Sequence, residues 1–191
     1  MKLYHGTLQN IEKTLKPNKA FPREDYNSVV YLTDIKEIAI AYAISPIDSY
    51  IKEKFAIIKH YPAISAHIRF HNDKLEIMEC YPGMFDIYKR SAYIYVCDID
   101  MAKDGHEYQI DHNLDFSDKI YIPDVYQELM ILERQGKVKL YKYDDLKDTY
   151  WQYDHMESGL QNRAGICQSD EERAFFKMVS NYFPNIKNHI K

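Results

Sequence analysis

Apolar residues along this chain fall into short runs, most of them ended by a turn residue. The first run, Lys2 to His5, predicts a short strand broken by Gly6. The stretch from Leu15 to Asn27 carries Pro17, Pro22 and several charges and predicts a loop, and the β-rich Ser28 to Leu32 predicts a buried strand. Asp34 followed three residues later by Glu37 is a capping-box pattern, and Ile35, Ile38, Ala39, Tyr42 and Ala43 recur at helical spacing behind it. That helix is expected to stop near Ser45, because Pro46 disfavours the α conformation in the residue before it.

Beyond it, a second helix is predicted over Ile47 to about Ile58. A hairpin follows within Ala63 to Cys80, with Ile68 and Phe70 on one arm, Leu75 and Ile77 on the other, and His71-Asn72-Asp73-Lys74 as the turn. Pro82-Gly83 marks a turn, and Phe85 to Arg90 one or two helical turns. Ala92 to Ile99 is the strongest strand pattern in the chain, and His106 to Ile110 and Lys119 to Ile122 predict two more. Asp124 with Gln127 opens a helix with Val125, Leu129 and Leu132 on its core face and Gly136 at its end. Lys137 to Tyr143 reads as a half-exposed strand. Ser169 with Glu172 opens a last helix striped by Phe175, Met178, Val179 and Tyr182 and closed by Pro184. Many short strands with scattered helices predict an α+β plan. The expected division is a domain over residues 1–143 and a helical C-terminal extension over 144–191 packed on it.

Composition narrows the function classes. The chain has 191 residues, 46% hydrophobic and 28% charged, an ordinary globular balance. A net charge of −4 and a pI of about 6.1 argue against a dedicated nucleic-acid coat or membrane-surface binder. No apolar run reaches the ~18 residues of a membrane span, and the N-terminus lacks the apolar core of a signal peptide, so no membrane association is expected. Cys80, Cys97 and Cys167 are odd in number and widely spaced, which fits reduced thiols in a cytoplasmic protein better than a disulfide framework.

Two short motifs carry candidate chemistry. Leu3-Tyr4-His5-Gly6-Thr7 puts an imidazole at a strand end, followed by a residue without Cβ against whose backbone a ligand can lie. Val30-Tyr31-Leu32-Thr33-Asp34 puts an aromatic ring where strand gives way to helix, a position suited to stacking on a flat heterocycle. Taken singly, His5 serves equally well as a plain structural residue, and Tyr31 alone reads first as a core residue.

Together, Tyr-His-Gly-Thr in a first strand and Tyr-Leu-Thr before a helix with small residues (Ala39, Ala41, Ala43) resemble the ADP-ribosyltransferase superfamily, in particular its His-Tyr-Glu branch of diphtheria-type toxins and poly-ADP-ribose polymerases. That branch places a Glu at the start of a later strand, and Gly105-His106-Glu107-Tyr108-Gln109-Ile110 matches it best, with Glu128 a rival in helical context. The resemblance spans roughly residues 2–45 and 92–122. It implies a split arrangement of short, mainly antiparallel sheets with peripheral helices, and NAD as co-substrate. It also implies catalytic roles for Glu107, His5 and Tyr31, with His5, Gly6, Thr7, Tyr31 and Tyr42 binding the NAD. His5 would bond a ribose hydroxyl and the Gly6 backbone the nicotinamide amide, with Thr7 supporting that loop. Tyr31 would stack on the nicotinamide ring, and Glu107 would hold the nicotinamide-ribose 2′-hydroxyl. The arginine-directed branch carries Gln or Glu two residues before its catalytic Glu. Gly105 stands there instead, so arginine modification is not supported.

The function expected from the resemblance is cleavage of the nicotinamide–ribose bond and transfer of ADP-ribose to an unknown macromolecular acceptor, protein or nucleic acid. Two alternatives stand beside it: an inactive nucleotide-binding module of the same fold, and an RNA 2′-phosphotransferase-like enzyme. No metal is expected. His60, His67 and His71 cluster in sequence, but no nearby Cys, Asp or Glu completes a zinc set. Trp151 with Tyr150 and Tyr153 reads as packing, and His106 as a residue touching substrate or lining the rim.

Overall fold

The computed structural model describes residues 1–18, 28–44, 67–79, 84–146, 161–162, 164–167, 169–181 and 184–190. The helix expected over Ile47–Ile58, the Pro82-Gly83 turn, His60, Cys80 and the Trp151 aromatic group lie outside these residues. The chain divides into two compact units that interleave along the sequence: Met1–Ile44 with Tyr88–Val138, and Ser45–Ile87 with Lys139–Lys191. Helices and antiparallel sheets are intermixed throughout, and the fold is α+β.

The first unit is built on a five-stranded sheet. Its strands are β1 (Lys2–Thr7), β3 (Val30–Thr33), β6 (Ala92–Asp98), β7 (Glu107–Ile110) and β9 (Asp118–Ile122). They lie in the order β7-β3-β1-β6-β9, and all four neighbouring pairs are antiparallel. β2 (Thr14–Leu15) and β8 (Leu114–Asp115) form a separate two-stranded ribbon, too short to leave an alternation signal. Against expectation, β1 is not broken at Gly6. It runs on to Thr7 because the long β6 pairs with it residue for residue, from Lys2 opposite Asp98 to Thr7 opposite Tyr93.

Strand alternation gives this sheet two faces. One packs Leu3, Val30, Leu32, Tyr95, Cys97 and Tyr108 into a core closed by Leu15. Within it the Tyr95 hydroxyl accepts a hydrogen bond from the Ile11 amide at 2.5 Å and donates to the Gln9 carbonyl at 2.9 Å. One polar tip thus fixes the loop after β1. Burial, together with Asp98 beside it, raises the Cys97 thiol to about 11, so this cysteine behaves as core.

The other face carries α1 (Lys36–Tyr42). This helix crosses β1 so closely that a Cβ on Gly6 would stand 1.9 Å from the Ala39 carbonyl oxygen and 2.9 Å from the Ala43 Cβ. Gly6 is therefore required by helix packing. α1 ends at Tyr42, short of the expected Ser45. Its start also differs from expectation: Asp34 does not cap it, and the Ile35 amide is bonded instead by the Thr33 hydroxyl at 3.1 Å. α2 (Val125–Arg134) follows the sequence pattern closely. Asp124 accepts from the Gln127 amide at 3.0 Å, Val125, Leu129 and Leu132 are buried, and Gly136 takes a φ of 73° just past the end. The Lys137 ammonium after it reaches Glu37 of α1 at 3.0 Å.

In the second unit, β4 (His67–His71) and β5 (Lys74–Met78) form the expected hairpin, with β10 (Val138–Tyr141) beside β5. Asn72 and Asp73 both take positive φ, 49° and 58°, as a two-residue hairpin loop demands. Buried Glu79 follows β5, and its two carboxyl oxygens accept from the amides of Phe85 at 3.1 Å and Tyr143 at 3.0 Å. One side chain thereby holds the 3-10 turn Met84–Tyr88 and the short α3 (Tyr143–Leu146). The last helix, α4 (Asp170–Val179), starts as expected, the Ser169 hydroxyl accepting from the Glu172 amide at 3.2 Å. Phe176, outside the predicted stripe, is fully buried in it.

The Gly6 contact is with rigid main chain, so Gly6→Ala forces α1 to shift. Overpacking of this kind costs about 1–3 kcal/mol. The expected outcome is a lower denaturation midpoint at unchanged denaturant slope, read by chemical unfolding.

Candidate functional site

The candidate residues come from four separate stretches of sequence, and the ladder registers bring them onto adjacent elements. β3 pairs with β7 with Tyr31 opposite Gln109 and Thr33 opposite Glu107. Opposed residues share a face, so Tyr31 and Glu107 are diagonal neighbours, a relation that places Cα atoms roughly 7–8 Å apart. β1 joins the same ladder with Tyr4 opposite Thr33, which sets Gly6 on that face too, under α1.

Tyr42, at the last turn of α1, overlooks this face. Its phenol is held above its ordinary range first by burial and then by the negative charge of Glu107, so the two side chains are electrostatic neighbours. Tyr31 is 37% exposed and Tyr42 50%, and Glu107, on the edge strand β7, is exposed as well. The face thus presents two accessible phenol rings and a carboxylate.

His5 lies one residue before Gly6, and its Nδ1 is 2.8 Å from the Tyr31 main-chain carbonyl. A carbonyl oxygen only accepts, so Nδ1 carries the proton and Nε2 the lone pair. Burial lowers the imidazole pKa from its usual 6.5 more than the Tyr31 bond raises it, and the ring is neutral at physiological pH. Thr7 turns its hydroxyl to the Gln9 amide at 3.3 Å and so bends the chain leaving β1. The rival Glu128 sits in the first turn of α2, away from the β1–β3–β7 ladder.

One residue of this neighbourhood escaped the sequence reading. Asp34, at the junction of β3 and α1, accepts from the Lys103 ammonium at 2.8 Å and from His106 Nδ1 at 2.9 Å. Burial alone would raise its carboxyl, but Lys103 and His106 outweigh burial and hold it below the usual range. The signal for this was present: Asp34 follows the residue opposite Glu107, and His106 precedes Glu107, so the ladder carries the two toward each other.

Among the described residues no group of three or more His, Cys, Asp or Glu side chains is placed to hold a metal ion. No described helix is long and apolar enough to cross a membrane. Compared with protein-family models, curated proteins and solved structures, the chain finds no match in any of the three.

The depressed pKa of His5 has a thermodynamic consequence. The unfolded chain takes up a proton near pH 6.5 that the folded ring resists, so stability is full above that pH and falls as pH drops below it. Thermal melts at pH 7.5 and 5.5 are expected to show this loss, and His5→Gln to flatten the dependence within this window.

Proposed function

We propose that this protein is an NAD-dependent ADP-ribosyltransferase whose site is the face shared by Tyr31, Tyr42 and Glu107, with His5 on the adjacent strand β1 bonded to the Tyr31 carbonyl. The observation that carries the reading is the β3–β7 register, which makes Tyr31 and Glu107 diagonal neighbours although 76 positions separate them in the chain (107 − 31 = 76). The residues suit the chemistry. Oxidised nicotinamide is a flat cation, and exposed tyrosine rings attract a cation through their π faces. The attraction weakens once the ring leaves as neutral nicotinamide, which favours product release. Neutral His5, with its Nε2 lone pair, accepts a hydrogen bond from a ribose hydroxyl.

Breaking the nicotinamide–ribose bond sends its electron pair to the ring nitrogen and leaves positive charge on the sugar, as in glycoside cleavage. A carboxylate fixed beside that sugar stabilises the transition state more than the ground state, and Glu107 fills this role. The acceptor is a macromolecule that receives ADP-ribose on the face opposite the departing ring.

The test is release of free nicotinamide from NAD by the wild type and by Glu107→Gln, with both proteins checked for folding. Wild type is expected to release nicotinamide, and Glu107→Gln to lose about 10²–10³ of that rate. NAD is expected to raise the melting temperature of both. Absence of release together with absence of a thermal shift in the wild type overturns the reading.

A further inference from the structure

Tyr31 has two cross-strand neighbours on the face it shares with Glu107. On the β1 side the neighbour is Gly6, which the Tyr4–Thr33 register sets opposite it. The space above Gly6 belongs to α1, since a Cβ there would stand 1.9 Å from the Ala39 carbonyl oxygen. On the β7 side the neighbour is Gln109, paired with Tyr31 directly. Along β7, Glu107 and Gln109 are exposed and Tyr108 between them is buried, so the two polar side chains alternate onto one face. A flat ring lying on Tyr31 is therefore bounded by the helix toward β1 and open toward β7.

Cross-strand partners have Cβ atoms about 4.5–5.5 Å apart, which puts the Gln109 carboxamide within reach of the edge of such a ring. Among the described residues nothing pairs with that carboxamide. It offers two N–H donors and a carbonyl acceptor. Glu107 lies two residues back on the same strand, which places its Cα about 6.5 Å from that of Gln109. In a nicotinamide riboside the carboxamide and the ribose 2′-hydroxyl are separated by a comparable span. With the ribose at Glu107 and the ring on Tyr31, the ring's carboxamide comes to Gln109.

We infer that Gln109 is a specificity residue that pairs with the carboxamide of the nicotinamide ring, so that the site takes NAD and rejects its nicotinic acid counterpart. This rests on the NAD-cleaving reading of the site. Two carboxamides pair through two hydrogen bonds, each donating one N–H and accepting one at its carbonyl. A nicotinate carboxylate only accepts. It takes the Gln109 N–H but leaves the Gln109 carbonyl facing an oxygen, and the negative charge of Glu107 repels it. Hydrogen-bond pattern and charge thus select the same ligand.

The experiment measures, by calorimetry on the full chain, the affinities for NAD, nicotinic acid adenine dinucleotide and ADP-ribose. The proteins are the wild type, Gln109→Leu and Gln109→Lys. Wild type is expected to prefer NAD over the nicotinic acid form by about tenfold or more, the worth of one hydrogen bond. Gln109→Leu, similar in volume and without hydrogen-bonding groups, is expected to lose most of that preference. Gln109→Lys, whose ammonium pairs with a carboxylate, is expected to invert it. ADP-ribose lacks the ring and is expected to keep its affinity for Gln109→Leu within about twofold of wild type. A wild type that binds both dinucleotides equally, or a Gln109→Leu protein with the wild-type preference, overturns the inference and leaves the NAD reading standing. An ADP-ribose affinity that falls in Gln109→Leu as far as that for NAD assigns the carboxamide to the adenine instead, and overturns it as well. A wild type that binds none of the three overturns both.

Discussion

The close approach of α1 to β1 at Gly6 is the constraint on which the first unit turns. A helix normally rides on a sheet at a distance set by the side chains between them. Here the Ala39 carbonyl occupies the volume that any Cβ at position 6 would claim. Small residues on the helix make the contact possible, since Ala39, Ala41 and Ala43 are all buried. The consequence is geometric: a helix drawn down onto β1 brings its last turn, with Tyr42, within electrostatic range of Glu107 on the outermost strand. With a larger residue at position 6 the helix lifts and carries Tyr42 away from Tyr31 and Glu107, which stay together on the β3–β7 ladder. The same glycine that invites a ligand-based explanation in the sequence therefore acts by letting two pieces of main chain meet.

Much of the fold is legible in local pattern. The β4–β5 hairpin follows from alternation around Asn72-Asp73, two residue types that tolerate the left-handed conformation the loop needs. α2 follows from a cap, an apolar stripe and a terminal glycine that agree with one another. The features that escaped local reading depend on partners far away in the chain. Gly6 looks like a strand breaker until β6 lies beside it. Asp34 looks like a cap until His106 and Lys103 arrive from about seventy positions away. Phe176, outside the predicted stripe, is fully buried in α4, because the helix phase is set by what it packs on.

The site residues show the same division. His5, Tyr31 and Glu107 stand out through their motifs; the ladder register puts Tyr31 and Glu107 on one face, while His5, opposite Tyr95, alternates to the other and meets Tyr31 only through its main-chain carbonyl. Protonation is what the sequence withheld. His5 is neutral because it is buried against a carbonyl, and Asp34 is ionised because two donors face it. One imidazole with a free choice of tautomer would be ambiguous. Here each of the two histidines has its Nδ1 bound to an oxygen, which fixes the character of both rings.

The interleaving of the two units bears on how the chain is made. β1 is complete within the first seven residues, yet its longest ladder is with β6, which begins only at Ala92. All of Ser45–Ile87, the first part of the second unit, is synthesised in between. At ~5–20 residues per second, β1 waits roughly 4–17 s for its main partner to leave the ribosome. During that interval the edge of β1 that pairs with β6 stands open. The face carrying Tyr31 and Glu107 is completed only after the outer strand β7 has emerged.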